Sequence, residues 1–117
     1  NYMISFSYEK AKNPYVERME NLLISNMSNQ NLCYKEIMKE IPLSIDHCRR
    51  LFIKETGKTP SEYLTEKRMN YAKLLLETRL RSNTMSVREI ANTVGFDDPY
   101  YFSRVFRKTT GKCPSEW

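Results

Sequence analysis

An internal repeat constrains the fold of this 117-residue chain more than any other feature of its sequence. Residues 50–62 and 104–116 carry the same amino acid at nine positions when they are aligned at a shift of 54. The segments before them also align, at a shift of 53, with Glu36-Ile37 opposite Glu89-Ile90. The chain is therefore predicted to contain two copies of one small unit. The nine shared residues are, in the first copy, Arg50, Phe52, Lys54, Thr56, Gly57, Lys58, Pro60, Ser61 and Glu62.

Each copy is predicted to form a short helix, a tight turn and a second helix. In the first copy Pro42 ends the short helix, Ser44 caps the second helix, and Gly57 stands where a C-terminal glycine closes it. This is the helix-turn-helix plan, whose second helix enters the major groove of DNA. A duplicated hairpin used only for packing would share that plan. The matching signals of the second copy are a Ser86–Glu89 capping box, Gly95, Asp98-Pro99 and Gly111.

Two more helices are predicted, one from Asn13-Pro14 and one from Thr59-Pro60 that links the two copies. The fold class is therefore all-α, in agreement with only 3 Gly and 5 Pro. Three- and four-residue spacing of apolar residues predicts the buried faces of these helices. The predicted core residues are Val16, Met19, Leu23, Met27, Tyr34, Ile37, Met38, Ile41, Ile45, Cys48, Leu51, Phe52, Leu64, Tyr71, Leu74, Leu75, Leu80, Val87, Ile90, Ala91, Val94, Phe102, Val105 and Phe106.

The chain is predicted to be one domain with a short leading segment. Residues 1–12 have no helical pattern and are expected to be a linker from an upstream domain. Residues 13–117 form the domain, with a first helix-turn-helix over 13–58, a linker helix over 59–81 and a second helix-turn-helix over 82–117. The last four residues look like the first turn of a further, truncated helix.

The charge of the chain is positive and unevenly distributed. Lys and Arg number 19 and Asp and Glu number 14, a formal net charge of +5. Acidic and basic residues cancel over residues 1–43, so the whole excess lies in residues 44–117. A basic surface there would suit a nucleic-acid partner.

Other classes of protein find little support in the sequence. The single His has no partners for catalysis, and the three Cys are too scattered for a zinc site, so no enzyme, metal or cofactor is expected. An odd number of widely spaced Cys favours reduced thiols and a cytoplasmic location. No apolar run is long enough to span a membrane. A module that binds another protein is the main alternative, and Ile53 is the only candidate for its exposed apolar patch.

The polar faces of the two second helices supply the candidate DNA contacts. At about 100° per residue, Tyr100, Arg104 and Arg107 lie opposite the predicted core of the later helix. Arginine binds guanine edges or phosphates, and tyrosine packs on thymine or donates to a phosphate. In the earlier helix Asp46, Arg50 and Ile53 face outward, with Arg49 beside them. Asp46 would either accept from cytosine or orient an arginine.

The segment SVREIANTVGFDDPYYFSRVFRKTTGKCPSEW closely resembles the second helix-turn-helix of the AraC/XylS family of bacterial transcription regulators. The pattern EIA..VGF….YFSR.F.K.TG..P carries most of that likeness, which extends over residues 15–117. The resemblance implies seven helices, with both recognition helices in successive major grooves of promoter DNA. It also implies transcription activation, an upstream effector-binding or receiver domain, and contact with RNA polymerase. It places DNA contacts at Asp46, Arg49, Arg50, Tyr100, Ser103, Arg104 and, nearby, Arg107.

The chain departs from the family pattern between its two copies. Residues 77–85 are about four residues longer than the family has there, about one turn of a helix. A longer linker helix would displace the two recognition helices, whereas a surface loop would change nothing. Ser82-Asn83-Thr84 favours the loop.

Overall fold

A computed structural model describes residues 13–82 and 85–117, and the side chains of all of them except residues 79–82. In these residues every regular element is helical, which confirms the predicted all-α fold. The expected linker over 1–12 and the residues Asn83 and Thr84 lie outside the described residues. The helices are α1 (Pro14–Ser25), α2 (Tyr34–Ile37), α3 (Ile45–Thr56), α4 (Pro60–Ser82), α5 (Val87–Thr93) and α6 (Pro99–Thr110), with 3-10 turns at Met38–Glu40 and Pro114–Glu116.

Side-chain caps begin the helices at the predicted positions. The Asn13 side chain accepts from the backbone N–H of Tyr15 at 2.8 Å. Ser86 and Glu89 form the predicted capping box, in which each side chain accepts from the other residue's backbone N–H, at 3.1 and 2.7 Å. Ser44 and Asp98 cap α3 and α6 in the same general way, so these two helices have fixed starting points.

Helices α3 and α6 also end in the same way. Gly57 and Gly111 have positive φ values of 79° and 88°, a left-handed conformation that favours glycine. The Thr56 hydroxyl donates to the Phe52 carbonyl at 2.8 Å and accepts from the Lys58 N–H at 3.2 Å. The equivalent bonds of Thr110 are 2.8 and 3.3 Å. The identical residues of the repeat therefore build identical helix ends.

The residue that follows each repeat copy is aromatic and packs on that copy's phenylalanine. The rings of Phe52 and Tyr63 meet edge to face with centroids 5.3 Å apart. Phe106 and Trp117 do the same at 5.6 Å. The repeat thus extends to the packing of aromatic rings, although Tyr63 lies in α4 and Trp117 follows the final 3-10 turn.

The described residues form two hydrophobic cores that share no residue. The first core joins α1, α2, the first 3-10 turn and α3, which together are called the first unit. The second core joins α5 and α6, called the second unit, to the second half of α4. The first core is Val16, Met19, Leu23, Met38, Ile41, Cys48 and Phe52; the second is Met69, Ala72, Leu76, Ile90, Ala91, Val94, Phe96, Phe102 and Phe106.

Two side chains predicted to be in the core are exposed. Leu74 is 58% exposed, because α4 buries Ala72 and Leu76 and these lie about 200° around the helix from it. The small Ala72 is a weak signal of burial in the sequence, and the prediction that Leu74 is buried is wrong. Ile45 is 45% exposed, since it occupies the first position of α3, one turn before Cys48 and Phe52 enter the core.

The linker helix ends one residue beyond its predicted end. Helix α4 runs from Pro60 to Ser82, against the predicted 59–81, so residues 77–82 of the longer connection are helical. The expectation of a surface loop is wrong for Ser82, which lies in the last turn of α4. A serine is a modest helix former, and the helix around it outweighs its preference for turns.

Candidate nucleic-acid interface

Helices α3 and α6 hold all seven side chains singled out in the sequence. On α6, Tyr100 is 71% exposed, Arg104 and Arg107 are exposed, and Ser103 is half-buried. On α3, Asp46, Arg49 and Arg50 are all exposed. Both helices carry cationic side chains on their solvent face, because the apolar residues of each helix are held in its own core.

Asp46 and Arg50 form an ion pair one helical turn apart on α3. Arg50 Nη1 lies 2.5 Å from Asp46 Oδ2, and both side chains are mostly exposed. An exposed pair of this kind stabilises a helix only slightly. Its effect is on geometry, because it holds the guanidinium along the helix face. Of the two roles considered for Asp46, this contact favours the orientation of an arginine.

Tyr101 is a further candidate side chain that sequence reasoning missed. The Arg104 guanidinium carbon lies 5.7 Å from the centroid of the Tyr101 ring, a cation–π distance. Tyr101 is 52% exposed and also packs at 5.9 Å on Phe96, before α6. The spacing of three residues between Tyr101 and Arg104 is visible in the sequence and could have identified the pair.

Arg49 lies at the rim of an apolar cavity of about 190 Å³ beside α3. Ile45 and Cys48 line the same cavity. Burial raises the pKa of the Cys48 thiol, so Cys48 is a protonated apolar group at neutral pH.

Ile53, expected to face outward, is half-buried. In residues 13–82 and 85–117, no cluster of His, Cys, Asp or Glu could hold a metal ion.

A broad groove lies between the two units, with α4 as its floor. Cationic side chains from all three parts line it: Lys58 after α3, Arg68 on α4 and Lys108 on α6. Lys58 is paired with Glu66, its Nζ 2.5 Å from Oε1, and this pair lowers the pKa of the Glu66 carboxyl. The groove therefore runs from the residues that follow α3 to one side of α6, along a surface of mixed charge. Lys58 and Arg68 were also missed in the sequence.

Comparison with known proteins identifies the family. The profile of a helix-turn-helix domain family matches residues 37–117. The arabinose operon regulatory protein of Escherichia coli K12 is 34% identical over 92 residues, which are 79% of this chain and 30% of that protein. This chain belongs to the AraC/XylS family of transcription regulators. The domain recognised in the structure is thus a DNA-binding domain, and its family regulates transcription.

Two more similarities agree with membership of the AraC/XylS family. An uncharacterized transcriptional regulatory protein, YesN of Bacillus subtilis, is 38% identical over 104 residues, 87% of this chain and 27% of that protein. The C-terminal domain of AraT, a response regulator from Geobacillus stearothermophilus, superposes with a TM-score of 0.77 at 30% identity. That alignment covers 89% of this chain and 83% of the other. The chain spans less than a third of the length of the two regulators, 27% and 30%.

Among the residues that the structure describes, no helix is both long enough and apolar enough to cross a lipid bilayer.

Proposed function

We propose that α3 and α6 enter two successive major grooves on one face of promoter DNA. The observation that carries this proposal is the structural repeat: two recognition helices have equivalent caps, ends and core contacts, and each exposes arginines. Successive grooves on one face are about 34 Å apart.

Within this proposal the seven side chains divide by helix. On α6, Arg104 reads a base edge while Arg107, in the last turn, holds a phosphate. Tyr100 and Ser103 add contacts at the start of α6. On α3, Arg50 and Arg49 contact DNA, and Asp46 orients Arg50. The divisions at residues 13–58, 59–81 and 82–117 are part of the same proposal.

We further propose that the chain acts in the cytoplasm as the DNA-binding part of a longer regulator. The resemblance to the C-terminal domain of a response regulator supports an upstream receiver domain. An upstream effector-binding domain is the alternative. Activation of transcription would involve contact with RNA polymerase. The chain would act by binding alone, without a cofactor or catalytic step.

Selection of bound duplexes from a random pool tests the two-helix proposal. We expect two blocks of preferred bases whose centres are about one turn of DNA apart. Arg104→Ala should lower affinity for the selected duplex by about 1–3 kcal/mol and relax preference within one block only. The matched control is Lys39→Ala, which removes one positive charge from the neutral part of the chain.

Two results would count against the proposal. Selection of a single block would mean that only one helix reads bases. If no duplex in the pool binds at low salt, DNA is excluded as the partner. If Arg104→Ala lowers the affinity for all sequences equally, Arg104 binds a phosphate and does not read a base.

A further inference from the structure

The side chain of Arg68 contacts both units from the middle of the linker helix. Its Nε donates to the Met27 carbonyl at 2.8 Å, and its Nη2 donates to the Asn29 carbonyl at 3.1 Å. Both carbonyls belong to the turn that follows α1, in the first unit. The guanidinium carbon also lies 5.5 Å from the centroid of Phe96, which belongs to the second core. One planar cation is thus fixed between the two units.

Gly95 brings the backbone of the second helix-turn-helix against the same contact. A β-carbon at Gly95 would lie 2.3 Å from the Met27 carbonyl oxygen and 2.8 Å from Arg68 Nε. Gly95 also has a positive φ of 103°. Only a residue without a side chain fits between the turn after α1 and the guanidinium of Arg68.

Gln30 adds a direct bridge between the units. Its Nε2 lies 3.4 Å from Asn92 Oδ1 and 3.5 Å from the Phe96 carbonyl oxygen. These distances are at the long end for hydrogen bonds, so each contributes less than the Arg68 bonds. The inter-unit contact is defined as Met27, Asn29, Gln30, Arg68, Asn92, Gly95 and Phe96.

The inter-unit contact matters because the two hydrophobic cores share no residue and each unit packs on α4 separately, the first through Phe52 against Tyr63. The second core includes Met69, Ala72 and Leu76, which fix the second unit to α4. The first core includes no residue of the second. The angle between α3 and α6 therefore depends on how the first unit is held against α4 and the second unit, where Arg68 supplies two directional bonds.

We propose that Arg68 is a positioning residue that sets the spacing of the two DNA half-sites. By fixing the turn after α1 against Phe96 and Gly95, it holds α3 at one distance and rotation relative to α6. It acts through the two helices, without a contact to a base in this role. The inference rests on the proposed two-helix reading of DNA.

Affinity as a function of half-site spacing tests this role. The probe is the duplex selected by the unmodified chain, remade with one or two base pairs inserted or removed between its two blocks. The unmodified chain should prefer its selected spacing. Arg68→Gln should bind that duplex about tenfold more weakly, a loss of about 1.4 kcal/mol. It should also bind the altered spacings almost as well as the selected one, because the units have lost their fixed orientation.

Two comparisons separate geometry from charge. Arg68→Lys keeps the charge but loses the planar group that bonds two carbonyls and stacks on Phe96, so it should also flatten the spacing profile. Lys67→Gln removes the neighbouring charge, whose described contact is with Tyr63 at 5.0 Å. It should lower affinity slightly at every spacing and keep the preference for one.

The outcomes distinguish a failure of the positioning role of Arg68 from a failure of the proposed two-helix reading of DNA. If Arg68→Gln keeps the spacing preference, with any loss of affinity equal at all spacings, Arg68 has no positioning role. If the Arg68 variants fail to fold, Gly95→Ala gives the same test, because its β-carbon would displace both Arg68 Nε and the Met27 carbonyl that Arg68 binds. An unchanged profile would then overturn the inference. If the unmodified chain binds equally well with one block scrambled, two-helix reading itself fails, and the inference fails with it.

Discussion

Asp46 is the one acidic side chain among the seven proposed contacts, and in the free protein it holds Arg50 at 2.5 Å. Asp46→Asn removes a negative charge that would repel phosphates and releases the arginine. We expect binding to unrelated duplexes to strengthen by about threefold, the scale of one exposed charge interaction. Discrimination within the block read by α3 should fall, because the guanidinium no longer has a fixed direction. Fluorescence anisotropy with selected and scrambled duplexes measures both.

Glu55→Gln is the control for Asp46→Asn. It makes the same change of charge on the same helix, about 180° around from Asp46. Equal effects of the two substitutions on discrimination would mean that only the net charge matters. In that case the ion pair has no role in orienting Arg50.

The exposure and contacts of a side chain can be predicted from the sequence where they depend on residues close to it in the chain. The exposure of Arg104 and Arg107 follows from helical periodicity, and the Tyr101–Arg104 contact could have been found from its spacing. The contact of Arg68 with Met27 could not, because the two residues are 41 positions apart and meet only after both units have packed. Whether the seven side chains bind DNA stays a prediction.

At the scale of elements, the glycines that end helices and turns have different constraints. Gly111 has open space around its α-carbon, whereas Gly95 faces the Met27 carbonyl oxygen. Gly111→Ala should destabilise the fold by about 1–2 kcal/mol, the cost of a left-handed alanine. Gly95→Ala carries that cost plus overpacking of typically about 1–3 kcal/mol. Urea unfolding of the two variants measures the difference. Equal losses of stability would show that the turn after α1 moves freely away from Gly95.

Helix boundaries followed from the sequence better than buried faces did. Caps such as Ser86 and closing residues such as Gly57 act through bonds to their own neighbours, so the sequence contains the whole signal. Burial of Ala72 in place of Leu74 depends on which face of α4 meets the second unit. The end of α4 at Ser82 also depends on context that turn preferences do not contain.

At the scale of the whole molecule, the two separate cores predict two regions of separate stability. Phe52 and Phe106 are equivalent in the repeat, and both are fully buried. Replacement of either by alanine should cost about 3–5 kcal/mol in its own core. Because the cores share no residue, Phe52→Ala should speed amide hydrogen exchange in α1 and α3 and leave α5 and α6 protected. Phe106→Ala should do the reverse and also affect the second half of α4.

Each of these two variants is the control for the other, because the repeat matches their helix positions and helix ends. Hydrogen exchange resolved by residue or by peptide gives the pattern. If either variant speeds exchange equally in both units, the inter-unit contact is strong enough to make the domain one cooperative structure. If each variant speeds exchange only in its own unit, the polar contacts around Arg68 hold the two recognition helices in a fixed orientation. They do so without making the two units unfold together. In that case a substitution at Arg68 could change half-site spacing while both cores stay folded.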